Sequence, residues 1–371
     1  MSLRIVQIID EISMGGAEKL LITLAGQAQA YSLDITIVSL SSNNDQMMLD
    51  ELSRLRTKVK IFPAKHLHDL RCIFRLTCFL SSQKFDLVQC HLTYANIIGT
   101  LCGRLAGLPV VITLHTTVDE PQRFNLAKEI LRIWIYRLCT KRIVAVAYEI
   151  AAVYQARFRG RSIDVIPNAV SITEAISNDE RNRLRQELVG DASRPVAISV
   201  GRITPDKGFN DLVSAFSTLL LTHPNAALLI AGDGCLFEKI RAQIRELNLE
   251  KNVVLLGMRN DVPRLLAISD IYVSSSHREG LPLTILEAMM AGLPVVATSV
   301  GDVPRLITPD IGLVVPPHQP ESIAEAIAKL LDEPAMLRQM GAAGRALAIE
   351  QYSSQVWMER LVDLYAQTLR K

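Results

Sequence analysis

Short runs of β-branched residues alternate with longer segments of helical periodicity along almost the whole chain. In the first half the strand candidates are RIVQII, DITIVSL, KVKIF, DLVQC, PVVITLH, RIVAVA and IDVIP, which begin at residues 4, 34, 58, 86, 109, 142 and 163. Continuous apolar strands separated by helices are typical of parallel sheets covered by helices on both faces. The pattern therefore predicts an α/β fold.

This alternation stops once, over residues 171–195, where polar residues replace the apolar runs. It resumes with PVAISVG, AALLIAG, NVVLLG, DIYVSSS, LPVVATS and IGLVV, which begin at residues 195, 226, 252, 270, 293 and 311. A length of 371 residues also suits two domains. We predict two Rossmann-like doubly wound domains that face each other, residues 1–172 and 173–352, and an amphipathic helix over 353–371 that could pack on either.

The composition excludes several classes of protein. The net charge is +2 and the aromatic share is 5%, so we expect no nucleic-acid partner. The six cysteines show no CxxC spacing, which favours reduced, buried thiols in a cytoplasmic protein. The first residues lack the apolar core of a secretion signal, and no uncharged run is long and apolar enough to predict a membrane span.

Charge is divided unevenly between the two halves. Residues 1–170 hold 20 basic and 14 acidic side chains, net +6, whereas the remainder is net −4. The segment KEILRIWIYRLCTKR, from Lys128, interleaves cations with apolar side chains and can lie on an anionic membrane surface. Its apolar stripe can equally pack on its own sheet. Peripheral contact with the inner face of a membrane therefore stays open.

The block HREGLPLTILEAMMAGLPVVATSVG, residues 277–301, is the most informative motif. It follows a strand and predicts a helix that opens near Pro282, since proline fits the first helical turn. Gly280 allows a tight turn before it. The free amides of Leu283 and Thr284, with the positive end of the helix dipole, then form an anion site suited to phosphate.

Glu279 precedes this helix, and Glu287 lies two turns along it. Their carboxylates can address two separated parts of one ligand and accept hydrogen bonds from vicinal hydroxyls. Alternatively, the first caps its own helix and the second lies on the surface.

Three further motifs follow strands. In GRITPDKG, from Gly201, Arg202 and Lys207 are close enough in sequence to converge on one diphosphate, although they could also be solvated surface cations. MGGAEKLL, with Gly15 and Gly16, and AGDG, residues 231–234, permit close backbone approach or a simple tight turn. AGDG is no dinucleotide fingerprint, because the third glycine would fall at Phe237.

Together these motifs carry a family resemblance. MGGAE, GRxxxxKG, AGDG and REGLPLTILEAMMAGLPVVAT, in this order, resemble the retaining nucleotide-sugar glycosyltransferases of family 4, over nearly the whole chain. The resemblance implies the GT-B fold, with the donor nucleotide held mostly by the second domain, the acceptor by the first, and chemistry in the cleft. It also implies that the final helix returns to the first domain.

The chain departs from the family pattern at three positions, none of which is a proposed ligand of phosphate or sugar. Ala169 stands where many relatives have glycine, Cys235 where proline is frequent, and Arg305 where an acidic residue is common.

The resemblance also implies roles in the second domain. Arg202 and Lys207 would hold the diphosphate and stabilise charge on the leaving group. Glu279 would bind hydroxyls of the donor sugar and Glu287 those of the ribose. The amides of Leu283 and Thr284 would contact the distal phosphate, in the donor site that also includes Gly201 and Gly280.

In the first domain, Gly16, with Gly15 beside it, would approach the donor phosphate. His115, in ITLHTT, matches a family histidine that faces the transferred sugar. Considered alone, it could be a core or surface histidine.

A UDP- or GDP-sugar is expected as donor substrate, with no cofactor. Because the chain contains no Asp-x-Asp, we also expect a metal-independent reaction. The acceptor, a glycan, a lipid-linked or a small-molecule hydroxyl, is not readable from the candidate loops 41–46, 66–69 and 116–124. The alternatives are an inactive nucleotide-sugar-binding partner subunit and a nucleotide-sugar epimerase or phosphorylase on the same fold. The missing fingerprint disfavours a nicotinamide oxidoreductase.

Overall fold

The chain divides into two units in a computed structural model that describes residues 2–13, 15–116, 126–158, 160–172 and 176–370. Unit 1 comprises Met1–Ala169 and Ser354–Lys371, and unit 2 comprises Val170–Ser353. Each unit contains a parallel sheet with helices between its strands. The α/β class predicted from the alternating pattern is confirmed.

In the described part of unit 1, seven parallel strands form one sheet. They are β1 (Leu3–Ile9), β2 (Leu33–Ser39), β3 (Lys58–Ile61), β4 (Leu87–His91), β5 (Val110–Leu114), β6 (Arg142–Ala145) and β7 (Asp164–Val165). Their order across the sheet is β3-β2-β1-β4-β5-β6-β7. The intervening helices are α1 (Gly16–Gln27), α2 (Gln46–Arg54), α3 (Leu70–Ser82), α4 (Thr93–Leu105), α5 (Leu126–Cys139) and α6 (Tyr148–Arg157).

The described residues of unit 2 form a sheet of six parallel strands. These are β8 (Val196–Val200), β9 (Ala227–Ala231), β10 (Val253–Gly257), β11 (Ile271–Ser274), β12 (Val295–Thr298) and β13 (Gly312–Val315), in the order β10-β9-β8-β11-β12-β13. The helices are α7 (Asn178–Val189), α8 (Phe209–Leu219), α9 (Phe237–Glu246), α10 (Val262–Ile268), α11 (Leu283–Met290), α12 (Val303–Leu306), α13 (Pro320–Asp332) and α14 (Pro334–Tyr352).

The last helix, α15 (Ser354–Leu369), belongs to unit 1 although it is distant in sequence. Its buried face, which includes Trp357, Leu361 and Tyr365, joins the core formed by β1, α1 and their neighbours. The Tyr365 hydroxyl donates to Gln89 Oε1 and accepts from Gln7 Nε2. Because both glutamines are buried in the sheet, this hydroxyl satisfies polar groups that water does not reach.

The prediction for the cysteines is only partly confirmed. All six thiols, each at a described residue, are free, and Cys72, Cys90 and Cys102 are buried. Cys78 and Cys235 are instead exposed, so the prediction of burial is wrong for them. Cys78 lies on the outer face of α3, and Cys235 follows the glycine turn after β9. Among the described helices, none combines the length and the apolar character needed to cross a bilayer.

Replacing Tyr365 with Phe should lower the free energy of unfolding of unit 1 by about 1–2 kcal/mol, because it strips a partner from two buried amides. Both tryptophans of the chain lie in unit 1, so their fluorescence during urea denaturation reports this unit. Tyr94→Phe, at a side chain that is 40% exposed, serves as control and should change the value by less than about 0.5 kcal/mol. Equal effects of the two changes would contradict the prediction.

Candidate functional site

The strand order of unit 2 changes direction between β8 and β11, which are paired neighbours. In open parallel sheets, ligands bind beyond the carboxyl ends of the two strands at such a point. Gly201 and the GRITPDKG loop follow β8, and the segment 275–280 follows β11. The topology therefore brings together the two motifs singled out in the sequence.

Main-chain contacts hold these two loops against each other. The amide of His277 donates to the Asp206 carbonyl at 2.7 Å, and the Ser275 hydroxyl donates to the Lys207 carbonyl at 3.0 Å. Gly208 has a φ of +62°, and a Cβ there would lie 2.1 Å from the Ser275 carbonyl oxygen. Only glycine combines this backbone conformation with so close an approach.

The side chains at the contact form a charged pair. Lys207 Nζ lies 2.5 Å from Glu279 Oε1, and the Ser276 hydroxyl donates to the same oxygen at 2.8 Å. The Lys207 side chain is 20% exposed and that of Glu279 12%. Among the described residues, no hydrogen bond reaches Glu279 Oε2. The pair thus presents free ammonium protons and one free carboxylate oxygen.

Arg202 is not part of this pair. Its side chain is exposed and makes no hydrogen bond within the described residues. Its charge still acts locally: burial opposes ionisation of Asp206, yet the Thr204 hydroxyl, Lys207 and Arg202 lower the pKa of that carboxyl. The adjacent Gly201 amide donates to the Ala231 carbonyl, and the Ile203 amide donates to the Asp233 carbonyl. AGDG therefore packs against the GRITPDKG loop.

Helix α11 begins at Leu283, and Pro282 occupies the N-cap, one position earlier than the first-turn position that the sequence predicts. As the first two helical residues, Leu283 and Thr284 have amides without acceptors inside the helix. The turn before them is held by the Gly280 carbonyl, which accepts from the Asp302 amide at 3.0 Å. The structure thus provides the amide pair expected for an anion site.

The two glutamates of this block both affect the pKa of the Tyr272 hydroxyl. Burial raises its pKa, a Thr284 hydrogen bond lowers it, and the charges of Glu279 and Glu287 raise it further. Both carboxylates therefore act on one buried group in β11. Glu287 is half-buried on α11, so it is not the exposed surface residue that the alternative interpretation required.

Unit 1 has its own change of direction, between β1 and β4. Asp10 follows β1, His91 ends β4, and His115 follows β5. Asp10 accepts from the amides of Tyr94 and Ala95 at the start of α4, at 3.1 and 2.6 Å. Burial nevertheless raises the pKa of Asp10 to about 6.

Next to Asp10 lies a cavity of about 190 Å³. It is lined by Asp10, Leu92, Thr93, Asn96, Leu114, His115, Thr116, Tyr136 and Tyr154. Most of these side chains carry a polar group, so the cavity suits a ligand rich in hydroxyls.

A chain of hydrogen bonds fixes the tautomers of the two histidines. Gln7 uses its amide nitrogen toward Gln89 and Tyr365, so its oxygen accepts from His91 Nε2–H at 2.8 Å. Burial lowers the pKa of His91 far below its usual range and that of His115 to about 4, so both rings are neutral. His91 Nδ1 therefore accepts from His115 Nε2–H at 3.1 Å. His115 Nδ1 is left as an acceptor.

The remaining predicted positions lie at the start of α1. Gly15 is the N-cap and Gly16 the first, exposed residue of the helix. Glu18 is buried there and accepts from the Ser13 hydroxyl at 3.0 Å. Met14 of this motif lies outside the described residues, as do positions 117–124 of the third candidate acceptor loop.

Sequence reasoning missed Ser276, Asp10 and His91. Asp10 and His91 each follow or end an apolar strand, a position that could have marked them. Ser276 sits in a run of three serines, and nothing in that run distinguishes it.

Two family models match the chain. The model described as Glycosyltransferase Family 4 matches residues 14–174, and the model described as Glycosyl transferases group 1 matches residues 180–347. The chain is a nucleotide-sugar glycosyltransferase whose first half matches Family 4 and whose second half matches group 1. This confirms the family that the sequence motifs indicate.

Named relatives of the enzyme are also glycosyltransferases. The chain is 27% identical over 308 residues to UDP-Gal:alpha-D-GlcNAc-diphosphoundecaprenol alpha-1,3-galactosyltransferase of Escherichia coli, covering 80% of this chain and 79% of the relative. It is 26% identical to N-acetyl-alpha-D-glucosaminyl L-malate synthase of Bacillus anthracis, covering 82% and 80%.

Solved structures establish the fold. The enzyme is similar to HepE from Anabaena in complex with UDP, with a TM-score of 0.87 and 21% identity over 98% of this chain and 100% of that one. A sucrose-phosphate synthase from Thermosynechococcus elongatus gives a TM-score of 0.82 at 19% identity, covering 98% of each chain. The fold is GT-B, as expected from the resemblance.

The raised pKa of Asp10 predicts a pH-dependent stability. The folded state binds this proton more tightly than the unfolded chain does, so the stabilising contribution is complete below pH 3.8 and disappears as the pH rises through about 6. Asp10→Asn keeps one of the two oxygens that accept from the amides of Tyr94 and Ala95, and it removes the titration. Between pH 5 and pH 8, the free energy of unfolding of wild type should therefore fall by about 1–1.5 kcal/mol relative to that of the variant.

Urea denaturation followed by tryptophan fluorescence measures this difference in unit 1. Asp50→Asn, on the exposed side of α2, is the control. Its free energy of unfolding should differ from that of wild type by the same amount at both pH values. If wild type and Asp10→Asn keep a constant difference between pH 5 and pH 8, the carboxyl does not titrate in this range.

Proposed function

We propose that unit 2 holds a UDP-sugar donor between the GRITPDKG loop and α11. The observation that carries this proposal is the contact of Lys207 and Ser276 with Glu279. It places a cation for a phosphate beside a carboxylate for sugar hydroxyls. The uridine base is proposed from relatives, since the E. coli enzyme is named for UDP-Gal and the Anabaena protein was crystallised with UDP.

In this proposal, Lys207 keeps one N–H on Glu279 and directs others to the diphosphate. The exposed Arg202 binds the same phosphates with its planar guanidinium group. The amides of Leu283 and Thr284 bind the distal phosphate at the α11 N-terminus. Gly201 and Gly280 let the backbone approach the donor.

Two carboxylates then recognise the sugars. Glu279 offers its free Oε2 to hydroxyls of the transferred sugar, because Oε1 is already occupied by Lys207 and Ser276. Glu287, three residues and so just under one turn further along α11 than Thr284, binds the ribose hydroxyls.

The chemistry is displacement at the anomeric carbon. The bond from that carbon to the phosphate oxygen breaks, and a bond to the acceptor oxygen forms on the same face. The acceptor proton passes to a phosphate oxygen of the departing UDP. Lys207, Arg202 and the helix amides stabilise the charge that develops on the diphosphate.

Unit 1 supplies the acceptor site in this proposal. The cavity beside Asp10 is lined by polar groups suited to hydroxyls. The free Nδ1 of His115 accepts a hydrogen bond from a hydroxyl of the transferred sugar, and the amide end of α1 at Gly15 and Gly16 approaches the donor phosphate. The acceptor itself is proposed to be a glycan, lipid-linked or small-molecule hydroxyl.

Lys207→Ala should lower the rate of sugar transfer ten- to a hundredfold, because it removes about 1.5–3 kcal/mol of charge-assisted hydrogen bonding to the diphosphate. Glu279→Gln should lower transfer while leaving the affinity for UDP unchanged. The measurements are kcat and KM with radiolabelled UDP-sugars, together with UDP titration calorimetry. Analysis of the product separates transfer from epimerisation or phosphorolysis.

Lys239→Ala, at an exposed lysine on α9, is the matched control and should leave both quantities unchanged. The double variant Lys207→Met/Glu279→Gln avoids a lone half-buried charge and tests whether any loss reflects misfolding. Unchanged transfer by Lys207→Ala would overturn the assignment. Loss of UDP affinity in Glu279→Gln would mean that the carboxylate roles are misassigned. Stabilisation by GDP instead of UDP in a thermal-shift assay would show that the donor is a GDP-sugar.

We further propose that the outer faces of α3, α4 and α5 rest on an anionic membrane. Helix α4 packs against both α3 and α5, so the three lie side by side. The apolar side chains exposed on them are Leu70, Phe74, Leu105, Trp134 and Leu138, each more than half exposed. Arg71, Arg75, Arg104 and Arg137 are interspersed, and α3 and α4 contain no acidic residue.

Vesicle cosedimentation tests this membrane proposal. Wild type should bind phosphatidylcholine vesicles that contain phosphatidylglycerol, and the variant Arg71→Gln/Arg75→Gln should bind about tenfold or more weakly, because each cation contributes about 1 kcal/mol near the surface. Phe74→Ser should also weaken binding, whereas Leu221→Ser, at an 84% exposed leucine of unit 2, should not. Equal binding by all four proteins would exclude this surface.

A further inference from the structure

A cluster of two histidines and one aspartate lies in unit 2, beside the proposed donor loops but outside the groups assigned to the donor. Asp211 belongs to the first turn of α8, His277 follows β11, and His318 lies between β13 and α13. Their potential ligand atoms all lie within 4.8 Å of one another. Three separate segments thus converge on one point.

The distances approach those of a metal site. Asp211 Oδ2 lies 2.8 Å from His277 Nε2 and 3.9 Å from His318 Nδ1, and the two imidazole centroids are 3.7 Å apart. Around a tetrahedral ion with bonds of about 2.0–2.1 Å, ligand atoms lie about 3.3–3.4 Å apart. The two observed distances fall on either side of this value, so small side-chain rotations would suffice.

We propose that Asp211, His277 and His318 bind a divalent metal of the Zn²⁺ class. Two imidazole nitrogens and one carboxylate match Zn²⁺, whereas Ca²⁺ and Mg²⁺ require oxygen ligands. Coordination places the proton of His277 on Nδ1 and frees Nε2 for the metal. Three protein ligands leave the fourth position to water.

Backbone conformation supports this assignment at His318. Its φ is +59°, a left-handed conformation that favours glycine, yet the side chain is directed at His277. The His318 side chain is 66% exposed, so the site is open to an ion from solvent, while Asp211 and His277 are each 19% exposed and held in place.

The bound ion would join three segments of unit 2. Two of them lie close in sequence to proposed donor groups: Lys207 lies four residues before Asp211, and Glu279 lies two residues after His277. A Cβ on Gly208 would lie 2.8 Å from His277 Nε2, so the site adjoins the GRITPDKG loop. The ion therefore stabilises these loops and takes no part in the transfer step.

Titration calorimetry with Zn²⁺ on the full chain, without any nucleotide, tests the proposal independently of sugar transfer. Wild type should bind one equivalent, and His277→Gln and His318→Gly should each bind more than about tenfold more weakly, since even loss of a supporting group costs about 10–100-fold. His318→Gly also suits the left-handed backbone, so it should fold normally. Zn²⁺ should raise the melting temperature of wild type and not that of His318→Gly.

The control is His223→Gln. His223 lies 3.2 Å from Asp332 in the same unit, and no second histidine of the described chain shares this pair, so Zn²⁺ affinity should stay unchanged. Co²⁺ should give the intense visible bands of tetrahedral coordination without a thiolate band, which excludes Cys78 and Cys235 as ligands. No Zn²⁺ binding by wild type, equal affinity in all variants, or a thiolate band would overturn the proposal.

Discussion

The arrangement of unit 2 depends on the close main-chain contact between the loop that follows β8 and the loop that follows β11. Gly208 allows this contact, and the Ser275 hydroxyl and His277 amide hold it. The contact forces Lys207 and Glu279 together in a setting where both are mostly removed from water. Removing two charges from water is costly, and such pairs rarely improve stability over apolar packing. A ligand that uses both groups explains the pair better than stability does.

The same topological rule accounts for both candidate sites. Each sheet changes direction once, between β1 and β4 in unit 1 and between β8 and β11 in unit 2. Parallel strands place all their carboxyl ends at one edge, so polar residues that follow central strands gather there. Asp10 and His115 occupy that edge in unit 1, as Arg202 and Glu279 do in unit 2. Polar side chains are also buried within the sheet of unit 1, where Gln7 and Gln89 bond to Tyr365.

Much of this could be predicted from the sequence. Buried parallel strands appear as β-branched runs, and the thirteen strands seen in the described residues match the thirteen candidates to within a few residues. Helix α11 was located by its proline and glycine. What could not be predicted were contacts between distant segments, such as Lys207 with Glu279 and Asp211 with His277, because local periodicity contains no information about loop-to-loop distances. Single polar residues such as Asp10 and His91 give no periodic signal, and only their position at the ends of apolar strands marks them. The exposure of Cys78 depends on which face of α3 meets the sheet.

Unit 1 is built from residues 1–169 and 354–371, which limits when it can fold during synthesis. Unit 2 is continuous in sequence and can acquire all its contacts while the chain is still being made. Unit 1 cannot, because Trp357, Leu361 and Tyr365 are translated after the whole of unit 2. Until residues 354–371 have emerged from the ribosome, the apolar groove that α15 fills on the first unit stays open, and nascent chains truncated before residue 354 would expose it to chaperones or to aggregation.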